Sequence, residues 1–194
     1  MPSPQVIFVD ANVWFSRTIR DWIGMLYTLP DLPPFHVRWT EDVLAEVIYH
    51  LRKKHPQWTG KRITDIRDRL ARTFEVGRVD DFVVPDDFRG PDVGDGHVHA
   101  AAIACGADML LTYNTRDFAD EGAPYEVLTP DEFLCLVDDA TPALVAQAAR
   151  RMCRFWLERI QEVDLPGSLR RAMCPHFAER VRQRLLENGG ALGE

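Results

Sequence analysis

The sequence predicts an α/β fold with a central parallel sheet between helices, followed by a C-terminal helical extension. Three observations predict it. Short apolar runs recur at residues 5–9, 109–112 and 125–128, as expected of strands buried on both faces. Stretches of helical periodicity lie between the strands, the alternation that produces parallel sheets. From Thr141 onward only helical periodicity remains. The expected division is therefore 1–139 for the α/β domain and 140–194 for the extension.

Taken in order, residues 5–9 (Q-V-I-F-V) form a strand that ends at Asp10. Residues 12–29 read as one helix, stopped by Pro30, Pro33 and Pro34. Residues 36–39 suggest a short strand. Thr40 then suits a helix N-cap, with Glu41 and Asp42 where negative charge favours the helix dipole. Val43, Leu44, Val47, Ile48 and Leu51 repeat at helical spacing, and so do Ile63, Ile66, Leu70 and Phe74. Residues 82–84 look strand-like. Residues 95–105 form an alanine-rich helix closed by Gly106. Thr129-Pro130-Asp131-Glu132 opens another helix with a cap, a proline in the first turn and a glutamate three positions after the cap. Thr141-Pro142 opens a long helix, Leu165-Pro166-Gly167 reads as a turn, and residues 175–187 form the last helix.

Composition narrows the classes of function. The chain has 194 residues, 46% hydrophobic and 27% charged, as in an ordinary globular protein. The N-terminus has no basic stretch leading into an apolar core, and no apolar run reaches the roughly 18 residues of a membrane span. The expected location is the cytoplasm, with no membrane partner. Cys105, Cys135, Cys153 and Cys174 form no CxxC pair and no zinc-ligand spacing, so they are expected to be reduced and packed inside. The net charge of −7 argues against a general polyanion binder. The charge is uneven, however: residues 141–194 hold nine arginines and six acids.

In parallel sheets, sites form beyond the carboxyl ends of the strands. Asp10 closes one strand, and Thr112, Asn114 and Asp117 follow another. Three segments carry the chemistry: Val9-Asp10-Ala11-Asn12; the helix containing Glu46; and Asp92-Val93-Gly94-Asp95-Gly96-His97-Val98-His99-Ala100-Ala101-Ala102, continuing to Thr112-Tyr113-Asn114-Thr115-Arg116-Asp117-Phe118. Four carboxylates gathered in one pocket would repel, and a cation would relieve that repulsion. Mg²⁺ prefers such hard oxygen ligands.

This order of motifs resembles PIN domains, over about residues 5–139. The resemblance is to the branch of VapC-type toxins with an added C-terminal helical region. It implies a FEN-related three-layer α/β/α fold. It also implies a Mg²⁺- or Mn²⁺-dependent endoribonuclease that hydrolyses RNA phosphodiester bonds as the toxin of a bacterial type II toxin–antitoxin pair. Asp10, Glu46, Asp95 and Asp117 match the metal-binding catalytic acids. Asn12, Asp92, Thr112 and Asn114 match supporting polar positions. The partners implied are an RNA substrate, a protein antitoxin and a second copy of the chain.

Other readings attach to the same residues. A strand followed by aspartate also begins haloacid-dehalogenase-like phosphatases, but Asn12 stands where their second aspartate would act as acid. A PIN-like scaffold that binds RNA or protein without catalysis is a further alternative. Glu41 and Asp42 compete with Glu46, which lies off the apolar stripe of its helix. His97 and His99 point to different helix faces, so hydrogen bonding suits them better than shared metal binding. Arg17, Arg20, Lys53, Lys54, Lys61 and Arg62 are candidate RNA-binding cations, weighed against a solvated helix face.

Overall fold

Four strands form one all-parallel sheet: β1 (Gln5–Val9), β2 (Phe35–Arg38), β3 (Met109–Leu111) and β4 (Glu126–Leu128), in the order β2-β1-β3-β4. The computed structural model describes residues 4–84, 93–118, 122–159 and 163–189. The architecture is mixed α/β, with helices flanking the sheet. β1 is central, and Ile7, Phe8 and Val9 are all fully buried. A strand covered on both faces has no use for alternating polar residues, which explains its continuous apolar run. Asp108 pins β1 to β3: its carboxylate accepts the Val6 N–H at 2.7 Å, and its own N–H reaches the Val6 carbonyl at 2.8 Å.

The chain clusters into two compact units, Met1–Phe15 with Phe35–Thr129, and Ser16–Pro34 with Pro130–Glu194. This division is drawn differently from a linear cut at 139/140. Residues 12–29 are not one helix. They form α1 (Ala11–Phe15) in the first unit and α2 (Arg17–Thr28) in the second. Ser16 makes the break: it sits in extended conformation as the N-cap of α2, its hydroxyl accepting the Ile19 N–H.

In the first unit, α3 (Glu41–Lys54) starts at Thr40, whose hydroxyl accepts the Val43 N–H at 3.2 Å. Val43, Leu44, Val47 and Leu51 form its buried stripe, and α1 packs against it. α4 (Gly60–Thr73) is capped by Thr59 and packs on α3. α5 (Gly96–Ala104) buries Val98, Ala100, Ala101 and Ala102, and Gly106 leaves the helix at φ 62°. That left-handed conformation is one that glycine adopts without a Cβ penalty.

The expected strand at 82–84 does not form. The chain pairs earlier instead, where Trp39 N–H donates to the Gly77 carbonyl at 3.1 Å and Val79 N–H to the Trp39 carbonyl at 2.9 Å. Val83 is left 86% exposed, so no burial supports a strand there. Gly77 is needed at this junction, because a Cβ would lie 1.9 Å from the Val37 carbonyl oxygen. Gly77→Ala is expected to destabilise the protein by about 1–3 kcal/mol through forced backbone displacement, read as a lower denaturation midpoint. An unchanged midpoint would refute the close approach.

The second unit is helical: α2, α6 (Pro130–Ala140), α7 (Pro142–Leu157), α8 (Leu165–Arg171) and α9 (Pro175–Gly189). Ile19, Trp22, Leu134, Ala148, Leu169 and Phe177 are among its buried residues, and Trp22 meets Phe177 edge-on with ring centroids 4.9 Å apart. The expected turn at Leu165-Pro166-Gly167 is instead the first turn of α8. Asp164 caps it by accepting the Gly167 N–H at 2.6 Å, and Pro166 sits early in the helix, where no donor is required. α6 and α9 are joined by buried acids. Asp131 accepts the N–H groups of His176 (3.2 Å) and Phe177 (2.8 Å) at the start of α9. Asp138 is contacted by Arg180 at 3.2 Å and by Arg184 at 3.0 and 3.1 Å. Among the described residues no helix is long and apolar enough to cross a membrane, and all four cysteines are free thiols, Cys174 buried but Cys105, Cys135 and Cys153 only half-buried, against the expectation of interior packing.

Candidate functional site

The strand order creates the site. From β1 the chain moves outward to β2 on one side, then returns to β3 on the other. A crevice opens at the carboxyl ends of two strands whose connections run in opposite directions. Val9 lies beside Leu111, and the Asp10 N–H extends the ladder by donating to the Leu111 carbonyl at 3.0 Å. Asp10 and Thr112 therefore leave adjacent strands side by side.

A short network holds Asp10. Its Oδ2 accepts the Thr112 hydroxyl at 2.7 Å and the Asn12 amide at 2.6 Å. The Asn12 amide also reaches Thr112 Oγ1 at 2.9 Å, and Asn12 Oδ1 accepts the Tyr113 N–H at 3.0 Å. Thr112 Oγ1 further accepts the Asn114 N–H at 3.0 Å. Asn12 and Thr112 thus position one carboxylate oxygen and tie the end of β1 to the loop after β3. Asn12 is neutral, with its amide occupied as donor and acceptor. It offers no proton of the kind that dehalogenase-type phosphatase chemistry requires.

Asp10 is 5% exposed. Burial pushes its carboxyl above the ordinary value, opposed by the Thr112 hydrogen bond, the backbone N–H groups of Ala11 and Asn12, and the charge of His97. Glu46 stands close enough to feel Asp10. Its carboxyl is also raised, first by burial, then by repulsion from Asp10, against the pull of His97 and His50. His97 Nδ1 lies 2.8 Å from the Gly94 carbonyl, which assigns that nitrogen its proton and turns Nε2 toward Glu46 Oε1 at 3.5 Å. Of the rivals of Glu46, Glu41 is engaged by Arg67 at 3.4 Å and Arg78 at 3.2 Å, whereas Asp42 stands near enough to Glu46 to raise its carboxyl.

The remaining predicted residues are placed as follows. Asp95 occupies the N-cap position of α5, yet its side chain makes no capping hydrogen bond. Asp117 is half-buried on the 3₁₀ turn Thr115–Phe118, anchored through its N–H to the Asn114 carbonyl at 3.1 Å. Neither is among the main influences on the Asp10 or Glu46 carboxyls. Asp92 lies outside the described residues. Among the described residues no group of three or more His, Cys, Asp or Glu side chains is arranged to hold a metal ion. Of the four expected acids, Asp10 and Glu46 are the pair whose carboxyls influence one another.

These two still suit the divalent ion that the motifs imply. Both are hard oxygen donors, and both are raised by burial, a penalty that a cation would relieve. Mg²⁺ is commonly held by one or two carboxylates and keeps several waters.

His99 bonds the Tyr125 hydroxyl at 2.6 Å, so the two histidines serve different partners, as the helix spacing requires. His97 and His50 are electrostatic neighbours of Glu46 that sequence patterns underrated. The signal for His50 was its position one helical turn after Glu46. Among the candidate cations, Lys61 pairs with Asp65 at 3.2 Å, and Arg62 stacks on Trp58 at 3.8 Å. In the second unit, Arg17 stacks on Trp156 at 4.6 Å and lies 3.7 Å from Asp21. Arg20 belongs to α2 in that unit. No family model matches this chain, and no curated protein matches it.

Proposed function

We propose that the chain is a metal-dependent endoribonuclease of the PIN type, hydrolysing RNA phosphodiester bonds as the toxin of a bacterial type II toxin–antitoxin pair. The observation that carries this reading is Asp10. It is a buried carboxylate at the β1/β3 crevice, held by Asn12 and Thr112 beside the Glu46–His97 pair. The motifs around it are the second support.

When bound, Mg²⁺ or Mn²⁺ supplies a water of lowered pKa and neutralises charge on the phosphodiester. Asp10 and Glu46, with Asp95 and Asp117, are the residues that would hold it. Thr112 and Asn12 fix the Asp10 oxygen, and His97 turns its Nε2 toward the Glu46 carboxyl. No side-chain nucleophile is required. The deciding experiment is RNA cleavage that needs a divalent ion, stops with EDTA and is lost in Asp10→Asn. Growth arrest on expressing the wild type but not Asp10→Asn tests the toxin role. Light scattering tests the proposed homodimer, for which a monomeric mass would remove that part. The protein antitoxin is proposed as the partner that covers the carboxylates.

A pH dependence follows from the same burial. The folded Asp10 carboxyl is raised above its ordinary value of 3.8. The penalty for ionising it is therefore absent below the unfolded value and fully present above the folded one. Metal-free protein should lose stability as pH rises through that window, and saturating Mg²⁺ should remove the loss. Melting temperatures measured against pH, with EDTA and with Mg²⁺, check this. Parallel curves would contradict it.

A further inference from the structure

On α3, Glu46, His50 and Lys54 succeed one another at intervals of four residues, and Tyr49 and Lys53 form the neighbouring row. Such residues share one side of a helix. About 12 Å of helix axis separates Glu46 from Lys54. Aromatic rings and cations interleave along this face. His50 meets Phe15 edge-on with centroids 6.2 Å apart and Tyr49 at 5.3 Å. Lys54 Nζ lies 4.8 Å over the Phe15 ring, and Lys53 Nζ lies 6.0 Å from the Tyr49 ring. Tyr49 is 61% exposed, and His50, Lys53 and Lys54 are exposed as well.

The charges here differ from those on α4. There Lys61 is paired with Asp65, and Arg67 with Asp68 and Glu41. Among the described residues Lys53 and Lys54 form no ion pair with a carboxylate. Their charge is available to an incoming anion, in a protein whose net charge of −7 would otherwise repel one.

We infer that this face of α3 is a track for single-stranded RNA, with Tyr49 and His50 stacking on bases and Lys53 and Lys54 holding the phosphates of the strand that leads to Glu46. Lysines alone would grip any polyanion. The exposed rings of Tyr49 and His50 beside these lysines suit a strand whose bases are unstacked, which an A-form duplex does not present. The direction of the track, toward the carboxylates, rests on the nuclease reading. The surface itself does not.

The test is fluorescence anisotropy in EDTA, so that binding is measured without cleavage. The probe is a short labelled single-stranded oligoribonucleotide, compared with its duplex and with inorganic polyphosphate as competitor. The wild type should prefer the single strand. Tyr49→Ala should weaken single-strand binding about tenfold and leave polyphosphate competition unchanged. Lys53→Gln with Lys54→Gln should reduce the slope of log affinity against log salt by about 1.4, near 0.7 per phosphate contact. All three positions are exposed, and unchanged melting temperatures would show the variants folded. Equal binding of duplex and single strand, or wild-type affinity in Tyr49→Ala, overturns the inference. Binding confined to an acidic protein partner overturns it too. If cleavage depends on Asp10 while Tyr49→Ala binds normally, the track falls and the nuclease stands. If binding follows Tyr49 but no metal supports cleavage, the track stands and the nuclease falls.

Discussion

Asp10→Asn is expected to lower metal-dependent RNA cleavage by at least ~100-fold, beyond the roughly 10–100-fold that loss of an outer-shell partner costs. The asparagine keeps an oxygen for Thr112 and Asn12 but removes the negative charge that a divalent ion requires. The fold should survive, because the change is nearly isosteric. Thr112→Val deletes the hydroxyl that donates to Asp10 at 2.7 Å while keeping the shape. It should cost less, about 10–100-fold, and raise the Mg²⁺ concentration needed for half-maximal rate. Asp117→Asn is the informative companion. A loss comparable to Asp10→Asn would mean that Asp117 joins Asp10 and Glu46 when metal and RNA are present. Full activity in Asp10→Asn, with EDTA without effect, would end the metal-nuclease reading.

Replacing both Arg180 and Arg184 by methionine is expected to destabilise the helical unit by about 3–5 kcal/mol. Asp138 is 1% exposed, and these two guanidiniums are its charged partners. Removing both strands a buried carboxylate in an apolar environment. Either single change leaves one arginine in place and should cost much less. Adding Asp138→Leu to the double variant removes the buried charge and should recover most of the loss, since an apolar replacement of a buried ion-pair network is often neutral. Urea unfolding followed by circular dichroism measures the four variants beside the wild type. A double variant as stable as the wild type would show that Asp138 is not held by this pair.

Much of the local structure was readable from short windows. Thr40 caps α3 and Gly106 closes α5 in the left-handed region, because each depends on a side chain or dihedral angle within one turn. β1 was legible from its unbroken apolar run. The errors arose where one sequence pattern had two uses. Residues 12–29 are periodic throughout, but Trp14 packs on Phe74 in the first unit and Trp22 on Phe177 in the second. Periodicity measures amphipathicity and is blind to which core is served, so the break at Ser16 went unread. The Leu165-Pro166-Gly167 segment carries turn residues, yet the capping carboxylate of Asp164 turns them into a helix start.

The candidate site divides along the same line. Residue type and spacing marked Asp10, Asn12, Thr112 and Glu46 as polar positions at the ends or off the stripe of regular elements. Their meeting depended on the strand order β2-β1-β3-β4, which sets Thr112 against Asp10 across 102 residues of chain. The same folding brought Glu46 within the electrostatic influence of Asp10 and gave Glu41 to Arg67 and Arg78. Helices and caps arise from forces acting over a few residues, and linear patterns record them. The pairing of distant strands arises from burial of the whole sheet, a property that no short window contains.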